Sequence, residues 1–244
     1  MDKKQVLIQE AIDCIQQAQS QQAIELCTAA IEKWPEFGRF IELRGIAYEQ
    51  SSDIHHSLED LERALVLVPL CPAGYFALAK CYLALEKNSL AKDNLKFLLE
   101  LPKTPTAMLP GVASVFGFLN EDELALRTCL REVKELPRSS EAWFRLAFYM
   151  ERLEYSLERI EPVLRKAVSI DPNRFILRFS LMKCLSELGR EQEAYEVVKG
   201  HVTAQAVGSL CCRGCVQKLA NVMRSSGDQL AFGFCQDRLE ELPC

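Results

Sequence analysis

The residues whose types and spacing could do chemistry lie near the C-terminal end, in Cys211-Cys212-Arg213-Gly214-Cys215. A Cys-x-x-Cys at a helix start has the means to lower a thiol pKa for redox exchange, or to supply half of a zinc site. A second cysteine pair of matching spacing is missing, and only His201 stands nearby in sequence. The plainer reading is therefore core and loop thiols. The three histidines add little. His55 and His56 are expected at the start of a helix, facing solvent, and His201 falls in a core column. No glycine cluster precedes a helix to cradle phosphate, and no His-Glu-x-x-His helix, nucleophile elbow or acidic calcium loop is present. The sequence thus points to no catalytic residue, no metal site and no cofactor, and to a protein that is not an enzyme.

The chain that positions these residues has 244 of them, 49% hydrophobic and 26% charged, with a formal net charge of −5. That is a globular composition with enough apolar side chains for a core. A mildly acidic chain gains nothing from neutralising phosphates or an anionic bilayer, which argues against nucleic acid and membrane as partners. The first residues lead directly into an amphipathic pattern, and the apolar run from Ala64 to Leu70 is cut by Pro69 and Pro72. A cytoplasmic location is the expectation. Eleven cysteines, an odd number, fit reduced thiols packed as small hydrophobes in a helical chain better than a disulfide framework.

A 34-residue period organises the rest. Ala11, Gly45, Ala79, Ala113 and Ala147 are all small. Three residues later stand Cys14, Tyr48, Tyr82, Phe116 and Met150, and four earlier stand Leu7, Ile41, Tyr75, Leu109 and Trp143, all large or apolar. Ala23, Ser57, Ala91 and Ala125 continue the period as a second small column. Residues spaced by three and four share a helix face, and a small residue between two large ones lets a neighbouring helix approach closely. Each unit therefore reads as two antiparallel helices that bury their remaining apolar face on the next pair. Pro35, Pro69, Pro102, Pro137, Pro172 and Pro243 punctuate the units by stopping the second helix. Gly189 and Gly227 mark the turn inside the last two, and Asn120 with Glu123 has the form of a capping box.

These residues resemble the tetratricopeptide repeat family. Trp143, Leu146, Ala147 and Met150 stand at its first-helix positions, Ala167, Asp171, Pro172 and Asn173 at its closing motif, and Leu188-Gly189-Arg190 with Ala194 at its central turn. The resemblance implies an all-α fold, a right-handed α-α superhelix (solenoid) of about six to seven helix-turn-helix units. It spans 1–244 as one solenoid, with units at about 4–37, 38–71, 72–105, 106–139, 140–174, 175–208 and 212–244. Pro110, Gly111 and Glu132 depart from the pattern, so the first helix of the fourth unit should be short or irregular. The fifth unit carries one extra residue, with Pro162 expected in the first turn of its second helix, and three extra residues fall near His201–Leu210.

In this family the first helices line a concave face that receives a peptide or a partner's helix. Here that face would carry Phe76, Phe144 and Phe179, one turn later Lys80, Phe148 and Lys183, and close in register Arg39, Arg145 and Arg152. Aromatic anchors with cations between them suit a ligand bearing apolar and acidic side chains. The same phenylalanines could equally pack inter-repeat seams, because helical spacing does not separate groove from core. The Lys, Asn and Arg set with which some members of this family clamp a C-terminal carboxylate is replaced by Ile8, Ile12, Leu43, Ala73 and Ala77. The leading function is a non-enzymatic scaffold or adaptor for another protein. Two alternatives stand beside it: a chaperone of a secreted or assembling client, and a metal- or redox-dependent protein using Cys212 and Cys215. Leu242-Pro243-Cys244 end at a repeat boundary, which leads to an expectation of self-association or a partner at that end.

Overall fold

The computed structural model describes residues 3–101 and 104–242; Pro102, Pro243 and Cys244, named above, lie outside them. Among the described residues the regular elements are helices, and none is long and apolar enough to cross a membrane. The chain divides into two compact units, Met1–Glu121 and Asp122–Cys244.

The first unit holds α1 (Lys3–Gln16), α2 (Ser20–Lys33), α3 (Gly38–Gln50), α4 (Ile54–Leu67), α5 (Pro72–Ala84) and α6 (Asn88–Glu100). A 3-10 turn at Thr106–Met108 then leads into α7 (Leu109–Phe118). The second unit holds α8 (Asp122–Glu135), α9 (Ser140–Arg152), α10 (Leu157–Ile170), α11 (Phe175–Glu187), α12 (Glu191–Val198), a short α13 (Ala204–Gly208), α14 (Arg213–Ser225) and α15 (Gln229–Glu241). Within each unit helices pack in antiparallel pairs, α3 on α4 and α5 on α6 in the first, α9 on α10 and α11 on α12 in the second. Each unit is thus a stack of helical hairpins, the all-α solenoid architecture.

The small columns sit where the helices touch. Ala11, Ala79, Ala113 and Ala147 are buried, as are Ala23, Ser57, Ala91 and Ala125. Gly45 shows why: a Cβ there would lie 2.8 Å from Leu61 Cγ, so only glycine allows α3 this close to α4. Ser57 has no solvent exposure, and its hydroxyl donates to the Gly45 carbonyl at 2.7 Å, which removes the cost of burying it. Asp53, Ser139 and Asp228 cap α4, α9 and α15 by accepting from the His56, Ala142 and Ala231 amides.

The turns that end these helices share one backbone solution. Ala18, Ser52, Glu86, Asn120 and Glu154, each 34 residues from the last, take φ values of 55–64°, and Gly189 and Gly227 take 74°. The left-handed conformation closes each helix by redirecting its last carbonyls, at a cost that glycine alone escapes. Asn120 is accordingly a turn residue; it does not cap α8 as its spacing to Glu123 suggested.

Other departures have local causes. The helix carrying Pro110 and Gly111, α7, is only 10 residues long. The extra residue of the fifth unit lengthens the turn between α9 and α10, which runs from Leu153 to Ser156. Pro162 is the sixth residue of α10, one turn further in than expected, where it leaves the Glu158 carbonyl without its helical donor. Gly200, at φ 74°, ends α12 after eight residues and puts His201 in a turn, half-buried, instead of in a helix core. His55 and His56 lie exposed in the first turn of α4.

Candidate functional site

Three buried carboxylates set the polar framework on which the proposed face is built. Glu42 and Glu132 have 0% and 2% exposure, and Asp60 is nearly as closed. Burying a charge is tolerable only with a partner. Asp60 receives Arg44 in a two-pronged pair at 2.7 and 2.9 Å, and this bond holds the Arg44 guanidinium above its ordinary pKa. Glu132 receives Arg145 at 3.1 and 3.4 Å; burial pulls that guanidinium down, and Glu132 more than restores it. Glu42 accepts from Arg39 and from the Cys71 amide at 2.6 Å.

The remaining face cations are paired as well. Lys80 on α5 meets Glu49 on α3, Lys183 on α11 meets Glu151 on α9, and Lys218 on α14 meets Glu187 on α11. Arg152 reaches Asp122 at 2.9 Å and lies 5.9 Å from the centre of the Phe148 ring. A lysine thus joins the end of the preceding first helix at a separation of 31 or 32 residues, a rung between repeats. The sequence reading missed this, although the recurrent Glu-to-Lys spacing carries the signal. Exposed rungs of this kind contribute little stability each. They do neutralise the cations that the sequence offered to an acidic ligand.

The aromatic residues part company. Phe76 on α5 turns its ring onto the backbone of α7: a Cβ on Gly111 would stand 2.7 Å from Phe76 Cζ. In the second unit Phe144, Phe148 and Phe179 gather around one groove with Lys183. Phe148 is 48% exposed, Phe144 is half-buried and Phe179, at 4%, forms wall and seam together. The groove encloses about 160 Å³, with Leu157, Ile160 and Leu164 of α10 supplying its apolar floor. Ile176, Cys184 and Cys215 complete the wall, and Glu151 and Glu187 stand at the rim. Burial lifts the Cys184 thiol to about 11, and the neighbouring Glu161, Glu187 and Glu151 add to it. Burial also pulls Lys183 down, but the Glu151 carboxylate outweighs it and keeps the ammonium charged. Arg39, Phe76 and Lys80 belong to the first unit and are not part of this groove.

Sequence reasoning did not find the α10 floor, nor place Cys215, named for its thiol chemistry, on this groove. Leu157 opens α10 immediately after the lengthened turn, so the extra residue of the fifth unit was the available signal. Among the described residues no three His, Cys, Asp or Glu side chains come close enough together to hold a metal ion.

Comparison with solved structures shows the fold of tetratricopeptide repeat proteins. The C-terminal part of a TPR repeat-containing protein from Cytophaga hutchinsonii superposes with a TM-score of 0.71 at 12% identity, covering 96% of this chain and 95% of that one. YrrB, described as a TPR protein with an unusual peptide-binding site, gives a TM-score of 0.59 at 18% identity over 75% of this chain and 98% of its own. A chain of the Naa15/Naa10 complex bound to HypK-THB gives 0.60 at 14% identity; the match takes in 98% of this chain but 37% of that one. No family model matches the sequence, and no curated protein matches it either.

Proposed function

We propose that the protein is a non-enzymatic interaction module whose α9–α11 groove takes an apolar side chain from a helix or extended segment of another protein. The observation that carries this reading is Phe148, nearly half exposed at the mouth of a groove whose floor is apolar. A large ring left in water beside a concave apolar surface gains free energy when a partner covers both, and aromatic anchors in such pockets dominate interface energetics. YrrB, with its peptide-binding site, offers a precedent for the fold. Because Lys183 and Arg152 are already paired with Glu151 and Asp122, the rim presents charges of both signs. An apolar anchor with polar flanks suits it better than a strongly acidic peptide. The face residues named from the sequence divide accordingly: Phe144, Phe148, Phe179 and Lys183 line the groove, while Arg145 and Arg152 hold the helices beside it. A chaperone of an assembling client would use the same groove on an amphipathic segment.

The test is a peptide-display selection against the full chain, followed by hydrogen exchange with the best peptide bound. Protection over 144–151 and 176–187, and an affinity loss of about tenfold or more in Phe148→Glu, is the expected result. Protection confined to other helices, with Phe148→Glu binding unchanged, overturns the proposal.

A further inference from the structure

The cysteines among the described residues fall into two chemical populations. Cys27, Cys81, Cys129, Cys184 and Cys235 are buried, and Cys14 and Cys71 half-buried. Burial pushes the thiols of Cys27 and Cys129 up to about 12, and those of Cys71 and Cys235 to about 11. Such sulfurs are protonated at neutral pH and out of reach. Cys211 and Cys212, by contrast, are exposed, and Cys215 is half-buried on the groove wall.

Geometry joins two of these three. Cys212 is the N-cap of α14 and Cys215 its third helical residue. The Cys215 and Val216 amides donate to the Cys212 carbonyl at 3.0 and 3.1 Å, which fixes the first turn. N-cap and third residue are the positions that a capping side chain bridges. A single turn holds their Cα atoms about 5–6 Å apart, within the window a disulfide requires. Gly214 places no side chain between them. Beyond its chain neighbours and the backbone of the helix itself, the atom within 4 Å of the point its Cβ would occupy is the Cys212 sulfur, at 3.7 Å, so that sulfur folds back over the turn. We propose that Cys212 and Cys215 form a thiol–disulfide exchange site for low-molecular-weight disulfides such as glutathione disulfide.

The two sulfurs have separate tasks. The Cys215 amide, then the Cys215 thiol, stabilise a thiolate on Cys212 and lower its pKa. Burial, then the neighbouring Cys212, raise that of Cys215. Cys212 therefore attacks: its thiolate bonds to one sulfur of the oxidant, the S–S bond breaks, and one glutathione leaves with the electron pair and takes up a proton. Cys215 then loses its proton and attacks the Cys212 sulfur, releasing the second glutathione. The protein gives up two electrons and two protons, and the small disulfide receives both.

The experiment incubates the folded full chain with glutathione disulfide at pH 7, quenches with acid, alkylates free thiols and maps tryptic peptides by mass spectrometry. The expected product joins peptide 200–213 to peptide 214–218 with the loss of two hydrogens. Cys211→Ser should retain it, and Cys215→Ser should accumulate glutathione on Cys212. Cys212→Ser should react about tenfold more slowly or worse, since the favoured thiolate is gone. The proposal is overturned if no linked peptide forms, if Cys211→Ser abolishes it while Cys212→Ser does not, or if chain unfolded in urea forms it as fast. Circular dichroism of each variant separates these outcomes from loss of fold.

Discussion

Phe76 and Phe144 occupy the same column, 68 residues apart, yet they face different neighbours. In the first unit the next first helix offers Gly111, and the Phe76 ring closes onto its backbone. In the second unit the corresponding helix offers Ile176, Phe179 and Ser180, and a groove stays open beside Phe144. One turn on, the column holds Lys80 in the first unit, tied to Glu49, and an exposed Phe148 in the second. An aromatic residue at this column is thus neither seam nor anchor by itself. The size of the residue opposite decides.

The sharpest way to test how firmly each region is held is to strand its buried carboxylate. Arg44→Ala leaves Asp60 buried without its two-pronged partner and should cost about 3 kcal/mol in urea unfolding, while Arg145→Ala, whose bonds to Glu132 are longer, should cost less. Equal losses would mean that bond geometry does not distinguish the two units. Next in size is the exchange of roles between the rings. Phe76→Ala should lower stability by about 2 kcal/mol and leave peptide affinity alone, whereas Phe148→Ala should weaken the peptide about tenfold with a stability change under about 0.5 kcal/mol. A Phe76→Ala variant that lost the peptide would erase the contrast. The smallest effect belongs to Gly111→Ala. Its new methyl meets the Phe76 ring and should cost about 1 kcal/mol, relieved when Phe76→Leu is added; a double-mutant cycle without coupling would remove Gly111 as the cause of closure.

The hairpin architecture was legible because close helix approach forces small residues into a column, and Ala11, Gly45 and Ala79 declare it. The groove lining was legible only in part. Register set Phe144, Phe148, Phe179 and Lys183 on one side of the helices, and they line one groove, but the α10 floor depended on a turn one residue longer than its counterparts. Glu132 was visible as a misfit among small residues. Its partner Arg145, 13 residues on, was read as ligand-binding because a sequence does not reveal which cations are already spoken for. Pro162 and Asn120 misled for a related reason: their local preferences suggested a helix start and a cap, whereas Pro162 lies in the second turn of α10 and Asn120 takes the left-handed conformation ahead of α8.

The left-handed hairpin turns within each unit also bear on the order in which the chain folds. Closing a helical hairpin requires its turn residue to enter that conformation before packing rewards it. At Ala18, Ser52, Glu86 and Glu154 the step is uphill by about 1 kcal/mol, and at Gly189 and Gly227 it is nearly free. The two glycine turns both lie in the second unit, joining α11 to α12 and α14 to α15. Our hypothesis is that these hairpins form the folding nucleus and that the N-terminal hairpins assemble later. Pulse-labelled refolding should then protect amides at 175–198 and 213–241 first, and Gly189→Ala should slow refolding more than Ala18→Gly accelerates it. Early protection at 3–33 would reverse that order.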